Sequence, residues 1–315
     1  MQYIGLGTAA LGRPQYINIK KEKVESFSLE ALKQKAWDML DNAFEQGVRY
    51  FDTAPGYGMA EQVLIDWVNK KGDDSIEIAT KWGYTYVADF NPDAAQHEVK
   101  EHSVEKLNGQ WEQSIKLLPN LSTYQIHSAT LETGVLENKA VLNRLAELKQ
   151  EHGLKMGIST TGDNQVEVLK KALAVKANGL ELFDAFQVTY NILDQSLAEV
   201  MPLLDSLGKR VIIKEALANG RLFPNDNYPH YSALYVLLKR LSEKYRVGID
   251  AIGLRFCIDS IHPFMVLSGA SVLPHLSDNL KAMNFQLEAD EVQQLKSFGV
   301  KPADYWQERK KLGWN

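Results

Sequence analysis

Residues 48–70 read VRYFDTAPGYGMAEQVLIDWVNK. Val48, Tyr50 and Phe51 make a short apolar run, the type of segment that forms a strand. Asp52-Thr53-Ala54-Pro55-Gly56-Tyr57-Gly58 is a turn-rich polar connection, and 61–70 has the composition of a helix. The same unit recurs along the chain. Further short runs lie at 3–6, 76–79, 123–126, 155–158, 185–188, 210–213 and 264–267. Most are continuously apolar rather than alternating, as strands buried on both faces of a parallel sheet are. Helix-like stretches at 29–45, 104–117, 136–151, 165–177 and 231–245 separate them. In one, Leu136, Ala140, Val141, Leu145 and Leu148 form a helical stripe. Eight strands, seven clearly followed by helices, predict an α/β fold of the (β/α)8 TIM-barrel type. A doubly wound sheet would announce a glycine-rich strand-to-helix turn, and Gly5-Leu6-Gly7-Thr8 is too short for one. Residues 1–315 read as a single domain, with the barrel over 1–285 and a C-terminal helix (288–298) and tail over 286–315. Residues 11–23 and 83–100 are long connections.

In such a barrel the C-terminal strand ends share one rim, and function collects there. Asp52 and Tyr57 follow the second strand, Lys81 the third and His127 the fourth. Ser159 and Thr160 follow the fifth, Gln187 lies on the sixth, and Lys214-Glu215 end the seventh. An ammonium beside a phenol favours its ionised form and makes it a better proton donor. A carboxylate beside that ammonium keeps it charged and in place. An imidazole can bond the same substrate oxygen. Asp52, Tyr57, Lys81 and His127 therefore predict a proton relay for a carbonyl becoming an alcohol. None of them donates hydride, so a cofactor must.

Composition excludes several classes. The 315 residues carry 35 Lys and Arg against 40 Asp and Glu, a net charge of −5. A mildly acidic chain without a long basic run is not built to bind nucleic acid. Cys257, the single cysteine, excludes an internal disulfide and a cysteine zinc cluster, and sits in an apolar stretch that predicts an inert thiol. No apolar run reaches the ~18 residues of a membrane helix, and no signal peptide is apparent, so a cytoplasmic protein is expected. His97 and His102 are five apart, whereas a zinc helix needs histidines four apart on one face; no metal site is expected. Arg309-Lys310-Lys311 reads as a solvated helix face.

Asp52-Thr53-Ala54 with Tyr57-Gly58, then Thr80-Lys81, then Gln125-Ile126-His127-Ser128, resembles the aldo-keto reductase superfamily over nearly the whole chain. The resemblance implies a barrel that binds a nicotinamide dinucleotide without a Rossmann domain. It implies Tyr57 as general acid, Lys81 and Asp52 tuning it, and His127 orienting the carbonyl. Ser159, Thr160 and Gln187 would hold the nicotinamide carboxamide. Leu217, Asn219 and Gly220 would wrap the diphosphate, and Gly269, Ala270, Ser271, His275 and Asn279 belong to the adenine-nucleotide segment. The cofactor implied is NADP(H) rather than NAD(H), and the partner a small carbonyl or sugar substrate. Trp82, Tyr84 and Trp306 are candidates for the substrate pocket. Oxidation of a sugar by an aldose dehydrogenase, and a dinucleotide-binding sensor with little turnover, are the alternative readings.

The chain departs from the family pattern in four places. Thr160 replaces the usual Asn. Lys214 stands where an aromatic ring usually stacks on the nicotinamide. Val272 stands where a cation often reads the 2′-phosphate, with His275 in place of Gln and Lys281, Arg221 or His275 as possible substitutes. The first strand starts too early for the hairpin that often plugs the barrel floor. Strand alternation predicts that Lys214 and Glu215 point opposite ways, with Lys214 toward the pocket. The plainer reading pairs Lys214 with Glu215 or Asp184.

Overall fold

The short apolar runs become parallel strands that close on themselves. The computed structural model describes residues 3–14, 28–91 and 94–313. The barrel strands are β1 (Ile4–Gly7), β2 (Tyr50–Asp52), β3 (Glu77–Trp82), β6 (Leu121–Ala129), β7 (Lys155–Thr160), β10 (Phe183–Thr189), β11 (Arg210–Lys214) and β12 (Met265–Ser268). They pair in that order, and β12 returns to β1. Two hairpins stand outside the barrel: β4 (Tyr84–Tyr86) with β5 (Glu98–Lys100), and β8 (Lys176–Ala177) with β9 (Leu180–Glu181).

The outer helices are α1 (Leu29–Glu45), α2 (Ala60–Lys71), α3 (Val104–Ser114), α4 (Lys139–His152), α5 (Gln165–Leu173), α6 (Met201–Ser206), α7 (Ser232–Tyr245), α8 (Ile249–Ile261) and α9 (Leu273–Leu280). Two more, α10 (Ala289–Lys296) and α11 (Pro302–Lys310), follow the barrel. Side-chain caps set several starts: Ser28, Ser103 and Asn138 accept from backbone N–H groups of α1, α3 and α4. Among the described residues no helix is long and apolar enough to cross a membrane.

The structure corrects several boundaries. Residues 135–137 form a 3-10 turn and α4 starts after the Asn138 cap. The helix expected over 104–117 breaks into a 3-10 turn after Ser114. The one expected over 165–177 stops at Leu173, where the chain turns into the β8–β9 hairpin. The long connection at 83–100 carries the β4–β5 hairpin. The tail is mostly α11, whose Tyr305 and Trp306 are buried while its polar residues cover the rest. Trp314 and part of the connection at 11–23 lie outside the described residues.

Side chains close the barrel floor. Phe264 meets Tyr50 edge-on, with ring centroids 5.9 Å apart. The Arg210 guanidinium covers Phe264 and pairs with Glu77.

Candidate active site

Strand side chains alternate between barrel interior and helix layer, so the interior stacks in layers. Tyr50, Ala79, Ala185, Ile212, Met265 and Leu267 form one apolar cluster. Two residues further along their strands stand Asp52, Lys81, Gln187 and Lys214. The polar layer thus sits above the apolar one, toward the C-terminal mouth.

Lys81 is fully buried, and its ammonium is the hub. Nζ donates to Asp52 Oδ1 at 2.5 Å, to the Thr53 carbonyl at 3.1 Å and to the Tyr57 hydroxyl at 3.2 Å. His127 Nε2 lies 3.4 Å from the same hydroxyl. Asp52 also accepts from Gln187 at 2.6 Å and from Gln125 at 3.4 Å. The four residues proposed from the sequence therefore form one connected chain.

The turn that delivers Tyr57 depends on a close backbone approach. A Cβ on Gly12 would lie 2.0 Å from the Tyr57 carbonyl, and one on Gly58 would lie 2.3 Å from the Gly12 carbonyl. Gly58 also has φ +65°, a left-handed conformation that glycine adopts without steric cost. Arg13 follows Gly12. Its guanidinium donates to the Gly56 carbonyl at 3.1 Å, pairs with Glu98, and lies 5.5 Å from the Tyr57 ring centre. Sequence reading missed Arg13 because nothing local links it to a turn 44 residues away. Gln125 stands out in the sequence only as part of the Gln125-Ile126-His127-Ser128 motif.

Burial dominates the titration of these groups. It pushes the Tyr57 phenol well above its ordinary range, Asp52 adds to the rise, and Arg13 opposes it. Desolvation thus outweighs the acidifying effect expected of the neighbouring ammonium, and the phenol keeps its proton at neutral pH. Burial, then Lys81 and Arg13, hold His127 well below the usual imidazole range, so its ring is neutral. The His127 carbonyl bonds His102 Nε2 at 2.9 Å, and burial takes His102 down to about 4.

The remaining candidates fall in distinct places. The Ser159 hydroxyl accepts from the Ser128 N–H at 2.8 Å. Thr160 donates to Gln165 at 3.3 Å, inside a buried network at the ends of β7 and β10. Leu217, Asn219 and Gly220 lie in a tight turn after β11, where Asn219 and Gly220 have φ of 56° and 94°. At Gly269 a Cβ would meet open space. Ala270 is buried, and its N–H bonds Ser268. Asn279 is 2% exposed and bonds Ser268; with its amide turned it also reaches Asp250 and the His275 carbonyl. Ser271 and Val272 line a groove of about 490 Å³ shared with Lys35 and Asp38 of α1. Among the proposed substitute cations, Arg221 is buried against Glu308 and the Tyr305 carbonyl, and Lys281 is tied to Asp278.

Trp82 is fully buried, edge-on to His102 at 5.5 Å; alternation turns it away from Lys81. Tyr84 lies 4.7 Å from the His127 ring and is partly exposed. Trp306 is buried and donates to Asp194 at 3.2 Å.

Lys214 meets neither carboxylate proposed for it. Its ammonium donates to Thr189 Oγ1 at 2.8 Å and lies 5.7 Å from the Trp306 ring centre. Asp184 pairs with Lys149, and Glu215 with Arg309. The divergence of Lys214 and Glu215 comes from the end of β11: Glu215 is left-handed, φ 54°, and turns the chain. Arg309 is thus half of an ion pair rather than part of a solvated face.

His97 and His102 flank β5 rather than sharing a helix, and no metal-binding cluster occurs among the described residues. Cys257 is buried, with its Sγ 3.4 Å from the Tyr190 carbonyl; burial raises its thiol well above the ordinary range.

A parallel (β/α)8 barrel with Asp, Lys, Tyr and His joined at its mouth is the architecture of a carbonyl–alcohol oxidoreductase. The Aldo/keto reductase family model matches residues 3–299. The chain belongs to this family and is an NAD(P)H-dependent oxidoreductase. It is 25% identical over 302 residues to the uncharacterized oxidoreductase YqkF of Bacillus subtilis, covering 89% of this chain and 93% of the relative. It is 24% identical over 316 residues to the NADH-specific methylglyoxal reductase of Escherichia coli, covering 90% of each. The aldo-keto reductase AKR11C1 of Bacillus halodurans shares its fold, with a TM-score of 0.69 at 22% identity over 95% of this chain and 92% of the other.

Proposed function

We propose that this enzyme reduces an aldehyde or ketone to an alcohol, with Tyr57 as general acid. One observation carries the reading: the Tyr57 hydroxyl sits between Lys81 Nζ and His127 Nε2, at 3.2 and 3.4 Å. Lys81, held by Asp52, donates to the phenol oxygen and stabilises the charge left as the proton departs. Neutral His127 bonds the substrate oxygen and aligns it with that proton. Burial favours a phenol that stays protonated until an oxyanion develops nearby.

The nicotinamide, when bound, supplies the hydride. The mouth fits such a group. The Lys214 ammonium has no carboxylate within 4 Å among the described residues, His127 Nδ1 lacks a partner, and the space at Gly269 is open. Ser159 and Gln187 are register partners on adjacent strands. We assign the carboxamide to them, with Gln187 accepting through its carbonyl oxygen while its nitrogen serves Asp52. Leu217, Asn219 and Gly220 would follow the diphosphate.

We take NADP(H) as the cofactor. Exposed Lys35 borders the same groove as Ser271 and Val272, and His275 stands in the first turn of α9. Both can meet a 2′-phosphate from outside the usual position. Tyr84, beside His127, forms part of the substrate wall. Trp82 and Trp306 shape it from behind. A panel of aldehydes, ketones and sugars, followed by cofactor absorbance with NADPH and NADH, tests the reading. Absence of turnover with every carbonyl, from protein that binds cofactor, would favour a sensor instead.

A further inference from the structure

The polar layer at the barrel mouth holds two ammonium groups, of which one is bonded to a carboxylate. The Lys81 ammonium is matched by Asp52, and His127 is neutral. Lys214 adds a second ammonium, partly buried and bonded to the Thr189 hydroxyl. The nearby carboxylates bond elsewhere and reach Lys214 only through their field, Glu215 more strongly than Asp194. Glu215 faces Arg309 on α11, and Asp194 accepts from Ser196, Gln165 and Trp306. One positive charge therefore stands at the mouth without a bonded carboxylate among the described residues.

Topology puts that charge beside the nicotinamide site. Ser159 on β7 is in register with Gln187 on β10, and β10 pairs directly with β11, Thr189 opposite Lys214. A ring held by Ser159 and Gln187 would be one strand from Lys214. The oxidised nicotinamide ring is a cation and the reduced ring is neutral. A fixed positive charge at this range disfavours a second one and leaves a neutral ring unaffected.

We propose that Lys214 makes the site discriminate between the two redox states of its cofactor, holding the reduced form and shedding the oxidised one. The inference rests on the reading that a nicotinamide dinucleotide occupies the mouth. Such an enzyme would load reduced cofactor from a mixed pool and suffer little product inhibition.

The test is equilibrium binding of NADPH, NADP+, NADH and NAD+ to the whole protein by titration calorimetry, for wild type, Lys214→Met and Lys214→Arg. The wild type should bind each reduced form roughly tenfold or more tightly than its oxidised partner, the scale set by one like-charge contact in a partly solvated site. Lys214→Met should move the ratio toward one by tightening the oxidised form, and Lys214→Arg should preserve it. A wild-type ratio near one overturns the inference whatever the variants do. So does an equal change in both forms in Lys214→Met, which would assign Lys214 to a group the two forms share, such as the diphosphate. If folded wild-type protein binds none of the four, the nicotinamide reading itself fails and takes the inference with it.

Discussion

The Gln187 amide nitrogen lies 2.6 Å from Asp52 Oδ2, although the two residues are 135 positions apart. Their strands, β10 and β2, stand four places apart in either direction around the eight-stranded barrel. The bond therefore spans the barrel. It orients the carboxylate whose other oxygen receives Lys81, so a side chain on β10 steadies the ion pair on the far side of the mouth.

Asp52→Asn should cost stability as well as activity. Lys81 is fully buried, and without the carboxylate its ammonium is uncompensated. Breaking such a pair from one side typically costs about 3–5 kcal/mol. Urea unfolding of wild type, Asp52→Asn and the double variant Asp52→Asn/Lys81→Met measures it. The double variant should recover part of the loss. A single-variant loss below about 1 kcal/mol would refute the idea that this pair matters to the fold.

Tyr57→Phe keeps the ring between Arg13 and His127 and removes the acidic proton. Turnover should fall by about 10²–10⁴-fold, the usual worth of general acid catalysis, while calorimetry shows cofactor binding unchanged. Near wild-type turnover would remove Tyr57 from the proton relay.

Glu61 on α2 offers a pH prediction. Its carboxyl accepts from Thr80 at 2.5 Å and Ser114 at 3.0 Å, while its second oxygen has no partner. Burial raises it to about 7 from an ordinary 4.5. Below 4.5 the carboxyl is protonated in both folded and unfolded chains. As pH rises from 4.5 to 7 the unfolded chain loses the proton first, and the folded state loses relative stability. Glu61→Gln should remove this trend, gaining about 3 kcal/mol on wild type between pH 4.5 and 8. Unfolding curves for both proteins at the two pH values measure the difference. A variant that tracks wild type at both would show that Glu61 titrates alike in the folded and unfolded chains, and that burial does not raise it.

The proposed NADP(H) reading makes Lys35 and His275 the side chains that meet the 2′-phosphate. Lys35→Met and His275→Ala should each weaken NADPH binding several-fold and leave NADH binding unchanged. The effect is modest because both groups are solvent-exposed. Fluorescence titration with both cofactors reads it. A wild-type preference for NADH would show that the neutral Val272 position decides the matter.

Much of this molecule was legible locally. Val48–Phe51 and its counterparts mark strands because parallel strands covered on both faces must be apolar throughout. Once eight such runs alternate with helices, the barrel follows, and it brings Asp52, Tyr57, Lys81 and His127 to one rim. Strand alternation also turns Lys81 inward and Trp82 outward. Three relationships needed the folded chain. Gln187 reaches Asp52 only when closure sets β10 across from β2. Arg13 covers Tyr57 because Gly12 packs against the carbonyl of Tyr57 itself. Glu215 leaves Lys214 because the chain takes a left-handed turn there and α11, whose residues read as a tail, returns Arg309 to meet it. The barrel strands, their order and the residue types at their ends can be read along the chain, since they depend on neighbours two to four positions apart; the β4–β5 and β8–β9 hairpins cannot. Which ions pair became visible only on folding, because pairing depends on distances between strands tens of residues apart in the chain.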